Sequence, residues 1–103
     1  MERARLARVA PAIRGAPSFY GAIDQIRYAA RNRLCVEITY HDAVRMTEPY
    51  SLRVAKTGNM LLYVHEILKN GAPTGDTRAY KVNEIRSARV TEEPFQPRYR
   101  VEL

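Results

Sequence analysis

Residues 45–66, RMTEPYSLRVAKTGNMLLYVHE, decide the fold. In the first half, Met46, Glu48, Tyr50, Leu52 and Val54 share one parity, and Arg45, Thr47, Ser51 and Arg53 share the other. That period of two predicts a strand with one dry and one wet face. In the second half, residues 60–64 (MLLYV) are continuously apolar, the pattern of a strand buried on both faces. Thr57-Gly58-Asn59 joins the halves as a turn. A hairpin whose second strand is doubly buried suits the centre of a small barrel.

The flanking segments extend the same pattern. Upstream, Leu34, Val36, Ile38 and Tyr40 alternate with Cys35, Glu37 and Thr39, so a strand is predicted there. His41-Asp42-Ala43 reads as a short turn leading to a strand over residues 44–50. Pro49 lacks an amide hydrogen, so a sheet edge or a bend is expected at that point. Earlier still, Phe19, Ile23, Ile26 and Ala30 recur at helical spacing. Ser18 offers an N-cap and Asn32 an end, giving a helix over residues 18–32.

Downstream, residues 70–76 (NGAPTGD) concentrate turn formers and predict a loop. A strand over 78–83 turns Tyr80 and Val82 inward, Asn83-Glu84-Ile85 forms a corner, and a last strand covers 87–91. Pro94, Phe95, Pro97 and Tyr99 form a tail that packs its aromatics back on the body. The predicted fold is mainly β: a small SH3-like or Sm-like barrel of about five strands preceded by one amphipathic α-helix. A two-sheet sandwich needs nearer ~100 residues. The expected core comprises Ile26, Val36, Ile38, Leu62, Val64, Val82 and Ile85.

Composition narrows the function. A chain of 103 residues is sized for one domain, here an arm over 1–17 and a body over 18–103. No apolar run approaches membrane-spanning length, and the charged start, MERARLARVA, is unlike a signal peptide. The single cysteine, Cys35, cannot form an internal disulfide, which suits a reducing cytoplasmic setting. Residues 1–33 carry seven arginines and only Glu2 and Asp24 as acids, whereas the remainder is nearly neutral. Long-range attraction of a polyanion therefore resides in the first third.

Five segments together resemble the WYL domain: the helix over 23–33, the strand over 34–40, Arg45 with Glu48-Pro49, Leu62-Tyr63-Val64, and the corner Tyr80-Lys81-Val82-Asn83-Glu84-Ile85. The resemblance covers about residues 20–95. At the corner the family pattern is aromatic-Arg-Leu-Asp-Arg-Ile, from which Lys81, Asn83 and Glu84 depart; Leu62 stands where the family has Trp. The resemblance implies an Sm-like barrel after a helix. It also implies a sensing role in transcription regulation or phage defence, with a nucleic acid or nucleotide-like ligand on a basic, aromatic surface. Residues 1–19 leave no room for the family's usual winged helix-turn-helix, so a stand-alone WYL-like protein or a fragment of a regulator is expected.

The candidate ligand-binding residues are Arg45, Arg53, Tyr63, His65 and Lys81, placed on one face of the central hairpin. Arginine and lysine suit phosphate, and Tyr63 and His65 offer a plane or a donor to a base. The plainer reading makes the arginines a solvated face and Tyr63 and His65 core residues. Glu48 falls on the inward parity and requires a cation or several amides. No catalytic group, cofactor or metal site is expected: Cys35 has no evident base, and His41 with His65 lacks further ligands. The competing reading is a protein-interaction subunit that docks on a larger partner, or on its own copy, by a barrel edge or the helix.

Overall fold

A computed structural model describes residues 21–103; the arm over 1–17, the Ser18 cap and Phe19 lie outside them. Helix α1 (Ala22–Arg31) leads into strands β1 (Leu34–Tyr40), β2 (Ala43–Val54), β3 (Met60–Lys69) and β4 (Ala72–Lys81). A single 3-10 turn, Val82–Glu84, precedes β5 (Ile85–Pro94). The fold is mainly β, with five antiparallel strands after one helix, as the sequence predicts. Asn32 caps α1 at its C-terminal end: its backbone amide donates to the Tyr28 carbonyl, and the following Arg33 amide donates to the Ala30 carbonyl.

Two of the turns are tighter than expected. His41 and Asp42 both have positive φ (50° and 59°) and close β1–β2 as a two-residue hairpin with Tyr40 opposite Ala43. Asn70 and Gly71 (φ 51° and 83°) do the same for β3–β4. The loop predicted over 70–76 is thus a correction: only Asn70 and Gly71 turn, and β4 begins at Ala72. Pro73 is tolerated because β4 is an edge strand, and Thr74 and Gly75 form a bulge opposite Ile67.

The strand order is β4-β3-β2-β1-β5, so the last strand returns to pair with the first. In a flat sheet β4 and β5 would lie roughly 19 Å apart. The 3-10 turn between them spans only roughly 8 Å. The sheet must therefore coil, bringing the end of β4 to the end of β1. The contact is direct: the Lys81 amide donates to Tyr40 Oη at 3.0 Å, and the Tyr40 and Tyr80 rings stack at 4.4 Å. Among the described residues no ladder joins β4 to β5, so the barrel is not closed.

The sheet has two faces. Helix α1 covers the first, where Ile26 and Ala29 pack on Leu34, Val36, Ile38, Leu62, Val64, Tyr80 and Val90. The expected core residues sit here; Val82 and Ile85 are half-buried at its margin. The second face is covered by the tail after β5, which seats Phe95 and Val101 against Cys35, Met46, Tyr50 and Ile67. β3 is consequently not buried on both faces. Leu62, Val64 and Glu66 are buried on the helix face, Leu61, Tyr63 and His65 are half-covered on the tail face, and Met60 is exposed.

Candidate functional site

Strand β2 does not keep one parity. Val36 pairs with Thr47 and Ile38 with Arg45, so Arg45 and Thr47 share the helix face with those core residues. Pro49 then pairs with Val64, but Ser51 pairs with Tyr63, leaving Tyr50 as the extra residue of a bulge. Beyond it the alternation is inverted, and Ser51 and Arg53 face the tail. Arg45 and Arg53, placed together by sequence parity, lie on opposite faces. The bend expected at Pro49 is the cause.

Arg45 is thus a correction, not a surface cation. It is buried, donates from Nη1 to Glu66 Oε1 at 3.1 Å and from Nε to the Tyr40 carbonyl at 3.2 Å. Its guanidinium carbon lies 5.4 Å and 5.5 Å from the Tyr40 and Tyr80 ring centroids, within cation–π range. Tyr80 donates its hydroxyl to the same Glu66 oxygen. Burial acts to raise the Glu66 pKa, but the hydrogen bonds from Tyr80 and Arg45 outweigh it and hold the carboxyl below its ordinary value. Burial and the adjacent carboxylate push the Tyr80 hydroxyl upward, so it stays a donor. Arg45 and Tyr80 both spend themselves on one Glu66 oxygen, Oε1; the other, Oε2, is buried without a partner.

On the tail face, Glu48 is buried as its parity indicated, beneath the tail rather than within the helix-side core. The cation it needs is Arg98, whose Nε and Nη2 reach its two oxygens at 3.0 Å and 3.2 Å. Tyr50 Oη donates to Glu48 at 2.6 Å and accepts from the Arg98 amide at 2.9 Å. Burial pushes the Tyr50 pKa up to about 12, with the Glu48 bond adding to it against the Arg98 amide. The Glu102 amide donates to the Tyr50 carbonyl at 2.7 Å. These bonds fix the path of the tail across the sheet.

Where the tail crosses, a cleft of about 530 Å³ opens between it and strands β2, β3 and β4. Tyr50, Tyr63 and Tyr99 supply its aromatic walls, and Arg53, Arg100 and Glu102 its charges. Tyr99 stands edge-on to Tyr50, with centroids 5.1 Å apart, and shares a 3.3 Å hydrogen bond with the Thr77 hydroxyl. Arg53 Nη2 lies 2.8 Å from Glu102 Oε1. Among the described residues Arg100 makes no ion pair. The volume is that of a small-ligand pocket, and the lining offers planes for a ring and cations for an anion.

Two of the five predicted residues, Arg53 and Tyr63, line this cleft. Lys81 shares their sheet face, in the row Arg53–Leu61–Lys81, but does not line the cleft, and its ammonium lies 3.9 Å from Glu84. His65 lies two rows along on this face, beyond Tyr63 and between Glu48 and Thr77; its Nδ1 is buried without a partner and it does not line the cleft. Glu84 itself is held by His41, whose hydrogen bond keeps the carboxyl below its ordinary value. The residues that the sequence reading missed are Tyr50, Thr77, Tyr99, Arg100 and Glu102. Their signal was the buried Glu48: its need for a cation, met by Arg98, is what brings the tail across.

A second cleft, of about 630 Å³, lies on the other side of the tail and includes Cys35, Met46, Ile67 and Phe95. Burial, with Glu48 and Glu93 nearby, pushes the Cys35 thiol up to about 12, so it stays protonated and weakly nucleophilic. No model of a known family, no curated protein and no solved structure matches this chain.

Proposed function

We propose that this chain is a non-catalytic regulatory module that binds single-stranded nucleic acid or a nucleotide-like ligand in the tail-face cleft. The observation that carries the reading is the convergence of Tyr63, Tyr99, Arg53 and Arg100 on one open cleft. Aromatic faces accept any base, and guanidinium groups bind phosphate by bidentate hydrogen bonds. Single strands suit such a site better than duplexes, because their bases are free to stack. The sequence resemblance to WYL domains supports a regulatory setting, in transcription or phage defence, and the cytoplasm as its place. No helix among the described residues is long and apolar enough to cross a membrane.

A second reading rests on a separate observation. Residues 72–79 of β4 are exposed, and the outer edge of that strand carries no ladder partner among the described residues. A protein partner that adds a strand would dock there. Titration with a short fluorescent single strand at low and high salt decides between them. Binding that falls steeply with salt supports the cleft reading, since released counterions mark phosphate contacts. No binding at low salt overturns it and leaves the edge-docking subunit.

A further inference from the structure

The charged residues of the cleft do not act alike. Arg53 and Arg100 are its cations, and Glu102 is the one carboxylate in its lining. Glu102 is held at Arg53 by the 2.8 Å ion pair. Its backbone is fixed independently: its amide donates to the Tyr50 carbonyl, and the preceding Val101 packs on the cluster of Cys35, Tyr50 and Phe95. The carboxylate is therefore a standing component of the cleft. With Glu102 present, the lining has a net charge of one positive unit instead of two.

We infer that Glu102 sets the anion this cleft accepts, favouring a phosphodiester over a terminal phosphate. The inference rests on the reading of the cleft as a nucleic-acid or nucleotide site. A phosphodiester, the link inside a strand, carries one negative charge, which the net charge of the lining balances. A phosphomonoester carries nearly two at neutral pH. Its second charge would lie near the carboxylate that the Arg53 ion pair holds at the cleft, and like charges at short range repel. Thr77 and the free edges of the two guanidinium groups remain as donors to the non-bridging oxygens. On this account the ligand is an internal stretch of a strand, and free mononucleotides are poor competitors for it.

The test uses two probes that differ in one charge and share one base: a nucleoside 5′-monophosphate and its O-methyl ester. Each is titrated calorimetrically into the wild-type chain and into Glu102→Gln at pH 7.5 and low salt. The wild type binds the methyl ester more tightly than the monophosphate. The substitution strengthens the monophosphate about fivefold more than the ester, the scale of one exposed charge pair. If Glu102→Gln strengthens both probes equally, or the wild type prefers the monophosphate, the inference about Glu102 is overturned while the cleft reading stands. If neither probe binds either protein, both fail together.

Discussion

The two faces of the sheet carry the same chemistry and use it oppositely. On the helix face, Arg45, Tyr40, Tyr80 and Glu66 form a buried cluster in which arginine meets two aromatic rings and a carboxylate. On the tail face, Arg53, Tyr63, Tyr99 and Glu102 present the same types of group to an open cleft. The difference lies in what each group has left over. Arg45 spends its hydrogen bonds inside the fold, and its side chain is only 11% exposed. The Arg53 side chain is 59% exposed and has one anionic partner, leaving donors for a ligand. An arginine among tyrosines is therefore not a binding site until its remaining donors face solvent.

The comparison breaks first at the buried pair. Glu66→Ala leaves the Arg45 charge buried without its partner and is expected to cost about 3 kcal/mol or more. A chemical-denaturation midpoint no lower than that of a surface variant would show that the helix-face cluster is as loosely held as the cleft. The pair also imposes a pH dependence. Because the folded Glu66 pKa lies below its unfolded value, the stabilisation is present above the ordinary carboxylate range and lost as pH falls through the folded value. Stability of the wild type should therefore fall more steeply below pH ~4.5 than that of Glu66→Gln, which removes this titration.

The apolar half of the same face comes next. Leu62 is wholly buried, with Leu52 and Tyr80 as its cross-strand neighbours, and Leu62→Ala should cost about 2–5 kcal/mol through lost transfer energy and the cavity left behind. The same truncation at half-exposed Leu61, its neighbour facing the tail, should cost clearly less. Equal losses would mean that the tail buries its face as tightly as the helix does.

The sequence made the elements legible and left the faces uncertain. Leu34–Tyr40 alternates in sequence, and Leu34, Val36, Ile38 and Tyr40 are buried as predicted; Cys35, of the opposite parity, is buried as well, in the cluster with Phe95. β2 alternates just as cleanly, yet a bulge at Tyr50 inverts its parity, and parity counting has no means of registering an unpaired residue. Pro49 marked the position of the bend but not its consequence for Arg53. The NGAPTGD stretch misled because its turn chemistry is real for only Asn70 and Gly71; the rest is an edge strand that tolerates proline. A third of the cleft lining, Tyr99, Arg100 and Glu102, comes from the tail, which sequence neighbours cannot bring to Tyr63. Two signals pointed to long-range partners: the tail aromatics Phe95 and Tyr99, expected to pack back on the body, and the demand of a buried Glu48 for a cation.

On the tail face the expected effects move from stability to binding. Tyr63→Ala removes a half-exposed ring from the cleft wall and should weaken a short single strand by about 1–3 kcal/mol, the usual worth of one stacked base. Tyr40→Ala, by contrast, should lower stability, because Tyr40 lies in the core between His41 and Tyr80. If the two substitutions gave the same profile in melting and titration, the distinction between a buried structural face and a ligand-facing one would fail.

The smallest effect is the most discriminating. Arg53→Ala removes a cation that already has a protein partner, Glu102, so two outcomes compete. If the pair merely ties the tail to β2, its loss should shift stability by no more than about 1 kcal/mol, as for other exposed pairs, and leave ligand affinity unchanged. If Arg53 also grips phosphate, stability should change just as little, but the salt dependence of single-strand binding should flatten by about 0.7 in the log–log slope, one contact's worth. Arg45→Ala is the matched control: it should lower stability and, once folded protein is counted, leave that slope as it was. A slope that flattens for Arg45→Ala and not for Arg53→Ala would exchange the roles assigned to the two faces.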